Sequence, residues 1–433
     1  MAKSEDYVFL VSKFLLLICV ASFIYYKKYH RRSRLDDEEK KRPTTFVCRN
    51  PQQAKSILNG SYFEEPSLSN ALKARAGPNT RLVYAFGIEN AFTTTDTKYH
   101  RQFVSLAGTR INLSNVRWES LSKDIGRLLH GNIERQRISN GTVLLSRLLQ
   151  ITVLRAVLPI LFPNSDVPDL PEEEQDDVAY FIADKINSLW IESKTTQAPN
   201  PKDLHSLKEA CQKLLPGIAV DSPRDSPLNL ILPAFETLWR IVFRCFIEVQ
   251  FRSNDDFESN KNLLQEYLNR PTSEIFTKAD ARDISVSHIV NEALRLYPPT
   301  KRVYRHIQTE SRVNPDVVAV DIESIHRDAQ IWGTDAATFR PSRWGSREMN
   351  GNMMSAFFPF GMKPLVCPAR KVFGPRIIGI FVASLSQIFN DSGDLETVGE
   401  MDFRRQGLLE NARDSYMSIA VRIKERKELG TCS

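Results

Sequence analysis

The chain has 433 residues, 42% apolar and 25% charged, a composition that excludes a disordered protein and allows one large core or two to three domains. The net charge of +6 is concentrated in one basic cluster, Lys27, Lys28, Arg31, Arg32 and Arg34, so nucleic-acid binding is poorly supported. The cysteines, at 19, 48, 211, 245, 367 and 432, show no CxxC and no regular spacing; they mark neither a zinc site nor a disulfide framework and fit a reducing compartment.

"YVFLVSKFLLLICVASFIYY", Tyr7 to Tyr26, is an apolar run long enough, at ~1.5 Å per residue, to cross a bilayer core of roughly 30 Å as a helix. Basic residues follow it where a signal peptide would have a small-residue cleavage site, so residues 1–26 are expected to be an uncleaved membrane anchor. Charge asymmetry about the run puts everything after it in the cytoplasm. The N-x-S/T sequons at Asn59, Asn112, Asn140 and Asn390 should then carry no glycan.

Residues 27–44 read as a charged linker, and 45–433 as the globular body, beginning with a short strand and a helix in "TTFVCRNPQQAKSIL". Apolar residues at three-to-four spacing then predict helices in "VRWESLSKDIGRLLHG", "VLLSRLLQITVLRAVLPILF", "DVAYFIADKINSLWIES" and "LHSLKEACQKLL". "PEEEQDD" is an acidic helix start favoured by the macrodipole. The longest apolar stretch of the body, Ser226 to Gln250, is a core helix interrupted at Pro233 and carrying Glu236 and Thr237. A carboxylate there needs a partner, such as Arg240 one turn on. Strand-like segments return at "KRVYRHIQ" and "DVVAVDIESIH", and "FGPRIIGIFVASLSQIF" is the last long helix. The fold class is mainly α with a minor β-sheet.

Two late segments carry chemistry. In "NEALRLYPPTKRVYR", Glu292 and Arg295 lie at i, i+3 on one helix face, which Pro298 ends. In "FFPFGMKPLVCPAR", prolines and a glycine hold Cys367 in irregular backbone, with Pro368 suited to open the next helix. The helix terminus, Arg370 and Lys371 would favour a thiolate, hence a metal ligand or nucleophile; a buried inert cysteine is the alternative.

With "IHRDAQIWGTDAATFRPSRWG" between them, these segments resemble, in order, the cytochrome P450 family of haem-thiolate enzymes, in wording most like fungal microsomal members. The resemblance implies a P450-like fold behind the anchor, its N-terminal part shortened. It also implies a buried triad of Glu292, Arg295 and Arg343, and haem b with Cys367 as axial ligand to the iron and Phe360 in the same loop. Lys363, Leu365 and Ala369 depart from the family's loop pattern. Arg302 and Arg305 are its candidates for the haem propionates, and His100 and Arg101 stand where a W-x-x-x-R motif is usual. Glu236 and Thr237 map to the acid-alcohol pair that delivers protons for oxygen activation.

The implied activity is insertion of one oxygen atom from O2 into a lipophilic small molecule, such as a secondary-metabolite intermediate. Electrons would come from an NADPH-dependent P450 reductase at the endoplasmic reticulum membrane, because the chain has no G-x-G-x-x-G of its own. Two other readings stay open: a reductase-independent haem isomerase or dehydratase, and a haem-free family member acting as a membrane scaffold. Phe235 is equally a pocket wall or core packing.

Overall fold

A computed structural model describes residues 45–61, 66–137, 142–194, 200–252, 257–307, 316–391, 395–398 and 407–423. The expected anchor and linker lie outside them. Among the described residues no helix is long and apolar enough to cross a membrane. The chain divides into two compact units, Met1–Phe46 with His306–Val318, and Val47–Arg305 with Ala319–Ser433. Every candidate site residue lies in the second.

Strand β1 (Thr45–Cys48) leads into α1 (Pro51–Asn59), where Asn50 caps the start by accepting from the Gln53 amide and Gly60, at φ 83°, supplies the left-handed close. Helices α2 (Leu68–Phe86), α3 (Thr97–Arg110) and α4 (Asn115–Arg137) follow. The apolar run read as one helix from Val143 divides: Thr142–Leu144 is strand β2, and α5 spans Leu145–Leu161. The reason is pairing, since β2 lies antiparallel to the late strand β6 (Ala420–Ile423) with Val143 opposite Val421.

Helices α6 (Glu172–Glu192) and α7 (Pro201–Leu214) match the sequence expectation. The acidic start of α6 is spent on arginines: Asp176 pairs with Arg135 and Arg155, and Glu172 with Arg127. No group of acidic, His or Cys side chains suited to a metal ion occurs among the described residues.

Helix α8 (Leu228–Ile247) crosses the core and packs on α5, α11 (Val286–Leu296) and α15 (Phe373–Asp391). Before α11 come α9 (Phe257–Asn269) and α10 (Ser273–Thr277). After it, β3 (Arg302–Ile307) and β4 (Asp316–Asp321) form a sheet of order β1-β4-β3. The second half of the strand-like "DVVAVDIESIH" is helical instead, α12 (Ile322–His326), because the Asp321 carboxylate accepts from the Ser324 amide and caps a helix there. Short helices α13 (Ala329–Trp332) and α14 (Gly351–Ser355) precede the cysteine loop. Strand β5 (Leu395–Val398) completes the second sheet, order β2-β6-β5.

Candidate active site

The Glu292 carboxylate is the hub of the C-terminal half. Arg295 donates to both its oxygens, at 2.8 and 2.7 Å, and Arg343 Nε reaches it at 3.4 Å. The Arg340 amide and Trp344 Nε1 fill its remaining acceptor positions at 3.0 and 2.9 Å. All three charged side chains are fully buried. Such burial is costly unless every donor and acceptor is met. Arg295 therefore also donates to the carbonyls of His326 and Ala336, and Arg343 to Trp332 and Asp335.

This network connects to the cysteine loop through His326, which has no exposure. Its Nε2 accepts from the Phe358 amide at 3.2 Å, and its ring packs against Trp332, Phe357 and Phe358. Burial, then the charge of Arg295, pushes the imidazole down to about 3, so it is neutral and able to accept. The Phe360 carbonyl closes the loop by accepting from the Cys367 amide at 3.0 Å. The Phe360 ring lies against Gly374 in α15, where a Cβ would stand 3.0 Å from it.

Cys367 precedes a 3-10 turn, Pro368–Arg370, rather than a long helix, since α15 begins three residues later. Cys367 is thus an N-cap with Pro368 opening the turn, as expected, but the turn is short and its surroundings do not favour the thiolate. Burial raises the thiol's pKa and only the Ala369 amide opposes it. Cys367 is nonetheless the one free cysteine among the described residues that is not buried; Cys48, Cys211 and Cys245 are all core. Ala369, where the family has glycine, keeps the amide that faces the sulfur, and Lys363 points to solvent.

In α8 every residue is buried except Pro233, Ala234 and Thr237, which share one helical face. That face is the partly exposed one of the helix. The carbonyl freed by Pro233, that of Asn229, is met by Asn90 Nδ2 at 3.2 Å. Thr237 Oγ1 donates to the Pro233 carbonyl at 3.0 Å. Glu236 is buried and forms ion pairs with Arg413 and, at 3.9 Å, with Arg240. Phe235 is fully buried, so it is core packing rather than pocket wall.

The basic candidates separate clearly. Arg302 is half exposed and pairs with Asp321 at 3.1 Å, so its charge is already used. Arg305 is buried and donates to the Tyr304 carbonyl. Buried Arg75, on α2, leaves Nε unpartnered and approaches buried His100 Nδ1 at 3.4 Å. Burial and Arg305 push Arg75 down to about 9, still charged at neutral pH; burial, Arg75 and Arg101 push His100 down to about 4. No carboxylate pairs with Arg75, His100 or Arg305 among the described residues. Helix α3, which carries His100, packs on the turn after Cys367. A dianionic group such as the two propionates of haem would satisfy the three basic side chains. Arg75 escaped the sequence reading; the available signal was an arginine three residues after Leu72 on the buried side of a helix.

Residues 285–389 match the family model described as Cytochrome P450. Cytochrome P450 CYP749A22 of Panax ginseng is 36% identical over 91 residues, covering 19% of this chain and 17% of that protein. Echinocystic acid 23-monooxygenase of Saponaria officinalis is 38% identical over 92 residues, with 19% and 17% covered. A putative cytochrome P450 of Caenorhabditis elegans, CYP13A5, is 33% identical over 116 residues, with 24% and 22% covered. The matched stretch thus spans about a fifth of these curated relatives, which are plant and nematode rather than fungal proteins. In structure, a mutant of the cytochrome P450DA heme domain superposes with a TM-score of 0.61 at 14% identity, covering 88% of this chain and 87% of that one. Residues 285–389 thus carry the cytochrome P450 pattern, and the fold along most of the chain is similar to that of a cytochrome P450 heme domain.

Proposed function

We propose that this chain is a haem-thiolate monooxygenase that inserts one oxygen atom from O2 into a lipophilic small molecule, with electrons from an NADPH-dependent P450 reductase at the endoplasmic reticulum membrane. What supports it is a partly open Cys367 held in its loop, together with the buried group Arg75, His100 and Arg305, to which no carboxylate is paired among the described residues. Cys367 would hold the iron of haem b through its sulfur, and the haem would supply oxygen activation. Arg75, Arg305 and His100 would take its propionates, and Phe360 would wall the loop side.

Further roles would fall to α8. Thr237 stands on the partly exposed face, its hydroxyl donating to Pro233 and its oxygen left to accept. Glu236, held by Arg413 and Arg240, is a carboxylate one residue away that would exchange protons with water reaching that face. This pair supports an oxygen-activating enzyme over an isomerase or dehydratase, which needs no proton delivery. The relative named as a 23-monooxygenase of echinocystic acid agrees in reaction class.

The reductase part is tested by reducing the purified protein under carbon monoxide with NADPH and a microsomal P450 reductase. The account expects the same band as with dithionite. Reduction by dithionite alone would remove the reductase from the proposal.

A further inference from the structure

The hydrogen-bond ladder of α8 is interrupted at Pro233, and the repair comes from outside the helix. Pro233 has no N–H for the Asn229 carbonyl, and Asn90 Nδ2 donates to that carbonyl instead, at 3.2 Å. Asn90 has no exposure and lies in the segment between α2 and α3. A buried carbonyl without a donor is costly, so the carboxamide offsets what the proline removes.

Asn90 is itself held on every polar group. Its Oδ1 accepts from the Phe92 amide at 2.9 Å, its own amide donates to Thr93 Oγ1 at 3.0 Å, and its carbonyl accepts from the Thr94 amide at 3.0 Å. With Oδ1 occupied by a donor, the NH2 is the end of the carboxamide that faces α8. The two segments are also clamped around this bond. The Glu89 amide and Asn229 Nδ2 both donate to the Pro223 carbonyl, at 3.0 and 2.7 Å, and Arg224 reaches the two Glu89 carboxylate oxygens at 2.7 and 3.0 Å.

Asn229, Pro233 and Thr237 stand one turn apart on one face of α8. The Pro233 carbonyl accepts from Thr237 Oγ1 at 3.0 Å, so the gap that Asn90 fills lies one turn before the seat of that hydroxyl. A helix opened by proline bends at the open turn, and a fixed donor in the gap leaves that turn one arrangement.

We propose that Asn90 is a positioning residue: its carboxamide stands in for the N–H that Pro233 lacks, and so fixes the turn of α8 that presents Thr237. Its link to the reaction rests on the monooxygenase reading, but its hold on α8 is testable without haem.

The test is a mutant cycle read by hydrogen exchange of the purified full chain. Asn90→Ala and Asn90→Leu each remove the donor, and each is made alone and with Pro233→Ala, which returns an N–H to the interrupted turn. Amides in 228–237 should exchange roughly tenfold or more faster in each single variant, and the effect should shrink below about threefold in the Pro233→Ala background. An equal effect in both backgrounds, or none in either, overturns the proposal. If neither single variant folds, recovery of soluble protein on adding Pro233→Ala supports it, and no recovery overturns it.

A second readout concerns the reaction. With haem, NADPH and a microsomal P450 reductase, hydrogen peroxide released per NADPH should rise about twofold or more in Asn90→Ala, and no further when Thr237→Ala is added. Unchanged peroxide, or additive increases, would show that Asn90 does not act through Thr237. Absence of haem from the samples counts against the monooxygenase, while the exchange rates still decide the role of Asn90 in α8.

Discussion

The Phe358 amide donates to His326 Nε2 at 3.2 Å, and this bond ties the cysteine loop to the network around Glu292. His326 receives the loop on its ring nitrogen, while its backbone carbonyl accepts from Arg295. One residue thus joins the two segments that carry the family pattern.

The bond has a pH signature. His326 is held near pKa 3, whereas an unfolded histidine titrates near 6.5, so between these values the unfolded chain binds more protons. Stability therefore falls as pH falls through that window, and by pH 5 this residue alone costs about 2 kcal/mol. His100, held near 4, adds to the slope with the same sign. In His326→Gln, which keeps an acceptor, the slope between pH 7 and 5 should be shallower by about 2 kcal/mol in urea unfolding. Equal slopes would show that His326 is not the neutral acceptor.

Breaking the Glu292 hub strands two buried guanidiniums. Glu292→Gln should cost about 3–5 kcal/mol, because the partner charges stay behind without compensation. Thermal unfolding or soluble yield measures it, and a loss below about 1 kcal/mol would contradict the account of the network.

Haem retention separates the arginines. Arg75→Ala and Arg305→Ala should each speed haem transfer to an apomyoglobin acceptor roughly tenfold or more, the value of a charge-assisted hydrogen bond. Arg302→Ala should change it by less than about twofold, since that side chain serves Asp321. Equal effects at 302 and 305 would argue against the assignment.

Much of this was legible in the sequence because it is written locally. The i, i+3 spacing of Glu292 and Arg295, the prolines around Cys367 and the apolar length of α8 each follow from a few neighbouring residues. What was not legible depends on distant chain segments. Arg75 looks like any helical arginine until folding brings Arg305 beside it, and nothing near Glu236 announces that residue 413 will pair with it. Strand β2 was read as helix because its partner, β6, lies some 280 residues away. Ile322–His326 was read as strand because a single cap, Asp321, overrides β-branched residues.

Thr237→Ala removes the one hydroxyl on the partly exposed face of α8. NADPH oxidation should continue while product per NADPH falls by roughly tenfold or more and hydrogen peroxide rises. Unchanged coupling would remove Thr237 from proton delivery.

The most direct measurement is the dithionite-reduced carbon monoxide difference spectrum of the purified chain, with Cys367→Ser alongside. The account predicts a strongly red-shifted Soret band that the serine variant loses. No Soret band after expression with ample haem, or a band unaffected by the substitution, would contradict thiolate ligation at Cys367 and with it the proposed chemistry.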